Sequence, residues 1–160
     1  MGRTAPTHTK ELGMGELTGM TALVTGASRG IGRAIAERLG ADGALVAVHY
    51  RDATEEAAAK ATLQSIETAG GKGFLVPSEF GTEGDVDKLF AGLQQGLGGL
   101  PLNILVNNAA VGHTGSLESA TPQNFDRVFA INLRTPFFLT QRMLPVLNDG
   151  GDASSTSARR

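Results

Sequence analysis

The stretch TGASRGIG, residues 25–32, decides how this chain is read. It follows the short apolar run MTALV at residues 20–24 and opens a helical pattern in which Ile31, Ala34, Ile35 and Leu39 recur on one face. Gly26 lets the chain turn off a strand. Gly30 lets backbone come close to a ligand with no side chain in the way, and Gly32 lets the helix pack tightly on a sheet. The start of such a helix offers unpaired amides and the positive end of a dipole, a setting suited to a pyrophosphate. Any tight strand-to-helix turn also favours glycine, so the loop's place in the chain carries the weight. No Gly-Lys-Ser/Thr follows, which argues against a P-loop. A methyltransferase, with its own glycine-rich first loop, is the competing reading.

Outward from this loop, apolar runs alternate with helical patterns. Strands are expected over residues 20–26, 44–50, 73–80 and 102–110. Helices are expected over residues 29–43, 53–71 and 84–98, the last with Val86, Leu89, Phe90 and Leu93 on one face. A long helix is expected over residues 121–147, opened by Thr121 with Pro122 in its first turn. Strict alternation of this kind predicts an α/β fold, a doubly wound parallel sheet with helices on both faces and right-handed crossovers.

Composition narrows the function classes. The 160 residues include 22 glycines and no cysteine, which excludes disulfides and thiolate metal sites. A net charge of −2 gives no electrostatic case for nucleic acid or an anionic membrane. No apolar run approaches the roughly 20 residues of a membrane span, and residues 1–15 lack the apolar core of a signal peptide. A cytoplasmic protein is the expectation. His8, His49 and His113 have no metal-ligand spacing and receive no chemical role.

Three motifs in order, TGASRGIG at residues 25–32, NNAA at 107–110 and INL at 131–133, resemble the short-chain dehydrogenase/reductase family, the 3-oxoacyl-acyl-carrier-protein reductase type above all. The resemblance runs from about residue 20 to 151, and a methyltransferase has no reason to carry the second and third motifs. It implies a Rossmann-like sheet in the order 3-2-1-4, a nicotinamide dinucleotide cofactor and, in full-length relatives, homo-oligomers. By resemblance, Gly26, Ser28, Arg29, Gly30, Ile31 and Gly32 face the cofactor. Tyr50 stands where an NAD-selecting acid is expected, with Arg51 next to it; Arg29 and Arg51 suit a 2′-phosphate, so NADP(H) is favoured over NAD(H). Glu79 and Phe80 match an adenine-contacting pair. Asn107 would brace strand ends, and the backbone at Ala109 would line the ribose. Asn132 matches the helix-bending Asn whose carbonyl holds a water in the proton relay, and is the one catalytic position matched.

The rest of the family's catalytic set, a Ser after the fifth strand and a Tyr-x-x-x-Lys, has no match; the one tyrosine is Tyr50, with Thr54 in the Lys place. The chain is therefore expected to be a lead-in over residues 1–18, an incomplete dinucleotide-binding domain over 19–151, truncated after the fourth strand and its helix, and a tail over 152–160 outside the family pattern. Codons for residues 153–160, read one base out of phase, can spell Arg-Ile-Val-Asn-Ile-Ser-Ser-Ala, a fifth strand, which points to a frameshift. The expectation is an NADP(H)-dependent oxidoreductase by lineage, inactive alone and self-associating through exposed apolar surface. The alternative is a non-catalytic nucleotide-binding or interaction protein that uses the half-fold as it is.

Overall fold

In the computed structural model, residues 15–112 and 115–147 are described. Four parallel strands alternate with helices: β1 (Thr21–Val24), α1 (Gly30–Ala41), β2 (Leu45–Tyr50), α2 (Glu56–Thr68), β3 (Lys72–Pro77), α3 (Asp85–Leu97) and β4 (Ile104–Val106). The sheet order is β3-β2-β1-β4. Val24 pairs with Val48 on one side and Val106 on the other, so the carboxyl ends of the central strands finish level. That level edge is where a doubly wound sheet presents its crevice, because the chain leaves β1 toward β2 and later returns to place β4 on the other side.

Each face of the sheet buries its own core. On one side Ala22, Val24, Val46, Val48 and Tyr50 pack with Ala36, Ala59 and Ile66 of α1 and α2. On the other, Leu23, Ala47 and Val76 pack with Leu89, Phe90, Leu93 and Leu139. Each fully buried Leu or Ile contributes roughly 1.5–3 kcal/mol of transfer free energy. The face of α3 is the one its sequence spacing predicts. The face of α1 is so only in part, with Ile35 and Leu39 half-buried against the core. Ile31 is 74% exposed, and the buried stripe is Gly32, Ala36 and Gly40. A Cβ on Gly40 would lie 2.6 Å from the Ile66 side chain, so small residues set how closely α1 meets α2. Hydropathy spacing selected the larger apolar residues of α1, whereas close packing selected the smallest ones.

The long helix expected over residues 121–147 is three segments. Thr121 caps α4 (Pro122–Phe129) by accepting the Asn124 amide at 3.2 Å, with Pro122 in the first turn. A π-helical turn (Ala130–Arg134) follows, and then α5 (Thr135–Met143). Residues 144–147 leave the helix, with Pro145 unable to continue its bonding, and Leu147 forms a parallel bridge to Leu102 just before β4. Asp85 ties this region to the sheet: its carboxylate accepts the Gly81 amide and the Thr135 hydroxyl, each at 2.8 Å. Of the expected lead-in, residues 15–18 form a turn in which the Leu17 amide bonds Asp42 O. Residues 1–14, His113 and the 152–160 tail lie outside the described residues. Among the described residues no helix is long and apolar enough to cross a membrane, and no group of His, Asp and Glu side chains could hold a metal ion.

Candidate functional site

At the carboxyl edge of the sheet the glycine turn is fixed by a buried polar network. The Thr25 hydroxyl donates to Val106 O at 3.2 Å and accepts the amides of Asn108 and Ala109 at 2.9 and 3.0 Å. The Asn108 side-chain amide donates to the carbonyls of Thr25 and Gly26 at 2.8 and 3.1 Å. Below the turn, His49 Nδ1 accepts the Gly26 amide at 3.0 Å, and His49 Nε2 lies 2.9 Å from Ser78 O. Nδ1 must carry a lone pair to accept, so the proton sits on Nε2, which donates to Ser78. Burial pushes the His49 pKa down to about 4, partly opposed by the Ser78 carbonyl. The imidazole also stacks on Phe80, with centroids 4.3 Å apart. One neutral histidine thus joins the ends of β1, β2 and β3.

These groups wall a cleft of about 500 Å³ in which Ser28, Arg29, Gly30, Ile31, Arg51 and Glu79 meet Phe80 and Ala109. Whether it fits a pyrophosphate is decided at the glycines. Gly30 has φ +57° and open space where a Cβ would stand, beside the start of α1. Helix α1 has no side-chain cap and no acid in its first turn, so its leading amides are left to a ligand. Gly26 at φ +64° and Gly32 close the turn: a Cβ on Gly32 would lie 2.3 Å from Gly26 O and 2.4 Å from Asn108 Nδ2. A backbone cradle with its cations at the rim fits an anionic diphosphate. The cations are Arg29, with an 82% exposed side chain, and Arg51, whose Nε donates to Asp52 at 2.7 Å. That bond raises the Arg51 pKa, and hydrogen bonds from Thr54, then Arg51, lower that of Asp52.

Three expected residues, Tyr50, Asn107 and Asn132, do not line the cleft. Tyr50 matches Val46 and Val48 in strand alternation, so its ring enters the core under α1 and α2, where burial raises its pKa. His49 and Arg51, the residues on either side, face the cleft instead. Asn107 does not brace the strand ends; its side chain donates to Thr140 of α5 at 3.2 Å, and the bracing falls to Asn108. Asn132 lies in the π turn and makes a reciprocal pair with Val111, donating to its carbonyl at 2.8 Å and accepting its amide at 2.9 Å. In this turn the Thr135 amide bonds Ala130 O five residues back, and such insertions recur at functional sites. Thr25, Glu55, Ser78 and Asn108 carry the site without having been singled out in the sequence, and His49 carries it although sequence spacing assigned it no chemical role. Strand alternation could have found His49; Glu55 and Ser78 have no local signal.

Known proteins share this architecture. The family model described as short chain dehydrogenase matches residues 20–155. The landomycin C-6 ketoreductase LanV, solved with bound NADP and rabelomycin, is 58% identical with a TM-score of 0.82, over 86% of this chain and 57% of that one. A short chain dehydrogenase from Burkholderia cenocepacia in complex with NADP is 37% identical with a TM-score of 0.75, over 84% and 54%. Versicolorin reductase 1 from Aspergillus parasiticus is 37% identical over 142 residues, 89% of this chain and 53% of the relative. The chain spans about half the length of the curated relatives it matches.

Proposed function

The chain belongs to the short chain dehydrogenase family, and from that premise we propose that residues 19–151 are the NADP(H)-binding part of a ketoreductase. The observation that carries this reading is Gly30, left-handed and open to the cleft at an uncapped helix start, with Arg29 and Arg51 at the same rim. The uncapped amides at the start of α1, Gly30 to Gly32, hold the diphosphate, Arg29 and Arg51 take the 2′-phosphate, and Phe80 with Glu79 receives the adenine. Ala109 lines the ribose, and Asn132 holds the opening of the proton path. When bound, the reduced nicotinamide supplies the hydride that a carbonyl carbon accepts, the carbonyl oxygen then taking a proton.

Support for NADP(H) over NAD(H) comes from the paired guanidiniums, whose fork geometry suits a phosphate monoester, and from the NADP bound in LanV and the Burkholderia protein. The lone tyrosine, Tyr50, is buried in the core away from the cleft. A phenol with a pKa near 10 cannot exchange protons with a ligand it does not touch. These 160 residues therefore bind the cofactor without reducing a ketone by themselves. Calorimetric titration of the chain with NADPH and with NADH tests the reading. Tighter NADPH binding, with amide signals of residues 26–32 perturbed, is expected; a folded chain that binds neither overturns it.

A further inference from the structure

A carboxylate stands between the two arginines of the cleft rim. Glu55 immediately precedes α2, where a short polar side chain would ordinarily cap the helix, yet its carboxylate makes no capping bond to that helix. It turns back toward the glycine turn. Its Oε2 accepts the Ser28 hydroxyl at 3.1 Å and the Arg51 amide at 3.4 Å. Its Oε1 lies 3.9 Å from a guanidinium nitrogen of Arg29 and 3.9 Å from one of Arg51. The side chain is only 19% exposed, although Arg29 is 82% exposed, and all four residues line the same cleft. Among the described residues the Arg29 guanidinium makes no hydrogen bond, and its ion pair is the 3.9 Å approach to Glu55. Asp52 is the second acid on Arg51.

Arg29 and Arg51 therefore already face carboxylates before any ligand arrives: Glu55 lies near both, Asp52 pairs with Arg51, and Glu79 lines the same cleft, as does Arg127. We propose that Glu55 is a specificity-determining residue, an internal anion that competes with a nucleotide 2′-phosphate for Arg29 and Arg51 and so sets the preference for phosphorylated over unphosphorylated ligands. The inference rests on the dinucleotide reading above. A phosphate dianion entering beside Glu55 meets like charge at close range in a partly desolvated cleft, where such repulsion is weakly screened. A ligand with a free 2′-hydroxyl meets no such penalty and finds the same carboxylate available as an acceptor.

The test uses the whole chain, its Glu55→Gln variant and two ligands that differ only in the 2′-phosphate, adenosine 2′,5′-bisphosphate and adenosine 5′-monophosphate. Glutamine keeps an acceptor for Ser28 and removes the charge. Expected is binding of the bisphosphate about tenfold tighter, with the monophosphate unchanged or weaker. Glu55→Ala, checked for a cooperative thermal transition, gives the same direction if Glu55→Gln does not fold. Equal loss of both ligands assigns Glu55 a structural part and overturns the proposal. So does bisphosphate binding that is unchanged or weakened, since Glu55 then either has no influence or holds the arginines in place for the phosphate. If the unaltered chain binds neither ligand, the dinucleotide reading itself falls. If it binds both and the variants leave their ratio unmoved, only the competition by Glu55 falls.

Discussion

The glycine turn and the α4–α5 helices lie close together, but they are built in opposite ways. At the turn, Thr25, His49, Ser78 and Asn108 satisfy one another, and among the described residues no buried side-chain nitrogen or oxygen lacks a partner. The cleft is preformed, and Arg29 and Arg51 already face carboxylates. Along α4, the π turn and α5, Phe125, Phe129, Leu133, Phe137 and Phe138 are 47–63% exposed. Phe125 stacks on Phe129 and Phe137 meets Phe138 edge-on, so these rings find each other more than the core. Only Ile131, Thr135, Leu139 and Met143 on the opposite stripe are buried. Polar complementarity is settled by contacts within the turn. An apolar face is settled only by something that covers it, and the described residues leave this one largely open.

The contrast is most easily broken at Gly32. In Gly32→Ala the new Cβ cannot avoid Gly26 O and Asn108 Nδ2, so the turn must move. A loss of about 3 kcal/mol or more is expected from urea unfolding, together with loss of nucleotide binding. A next largest effect is expected from acid. The folded state holds His49 neutral down to about pH 4, whereas an unfolded histidine protonates near 6.5. The depressed value makes the unfolded chain bind the extra proton first, so stability is full above about pH 6.5 and falls as pH drops toward 4. At roughly 1.4 kcal/mol per unit, the loss is roughly 3 kcal/mol. Unfolding curves of the chain and of His49→Gln across that range should differ in slope; parallel curves would remove His49 from the account.

Smaller effects sharpen the contrast. Arg51→Gln should weaken NADPH binding about tenfold and leave NADH within about twofold, because only the phosphorylated ligand uses the guanidinium. Titration of both ligands reads this directly. The smallest stability change is expected on the open face. Phe137→Gln combined with Phe125→Gln should alter unfolding free energy by no more than about 0.5 kcal/mol per site, since neither ring is buried. The same pair should reduce self-association in sedimentation velocity; an unchanged distribution of sizes would show that the face is not what brings copies together.

The sequence by itself determined the architecture. Alternating apolar runs and helical patterns, with glycine at most hand-overs, are local signals, and they dictated the parallel sheet, the place of the crevice and the cradle at Gly26, Gly30 and Gly32. The strands are shorter than the spacing predicts, because the chain turns toward the cleft at Thr25, Ser78 and Asn107, directly after the last ladder bonds. The residues that tune the site were decided by tertiary structure. Strand pleating sent Tyr50 into the core and His49 to the glycine turn. Packing on α5 took Asn107 and left Asn108 to join β1 and β4 across 82 and 83 positions. Glu55 reaches Ser28 from 27 positions away, and Asp85 reaches Thr135 from 50. Spacing along a chain carries period and handedness, but it does not carry which distant side chains share a cleft; that follows only once the sheet has brought its strand ends level.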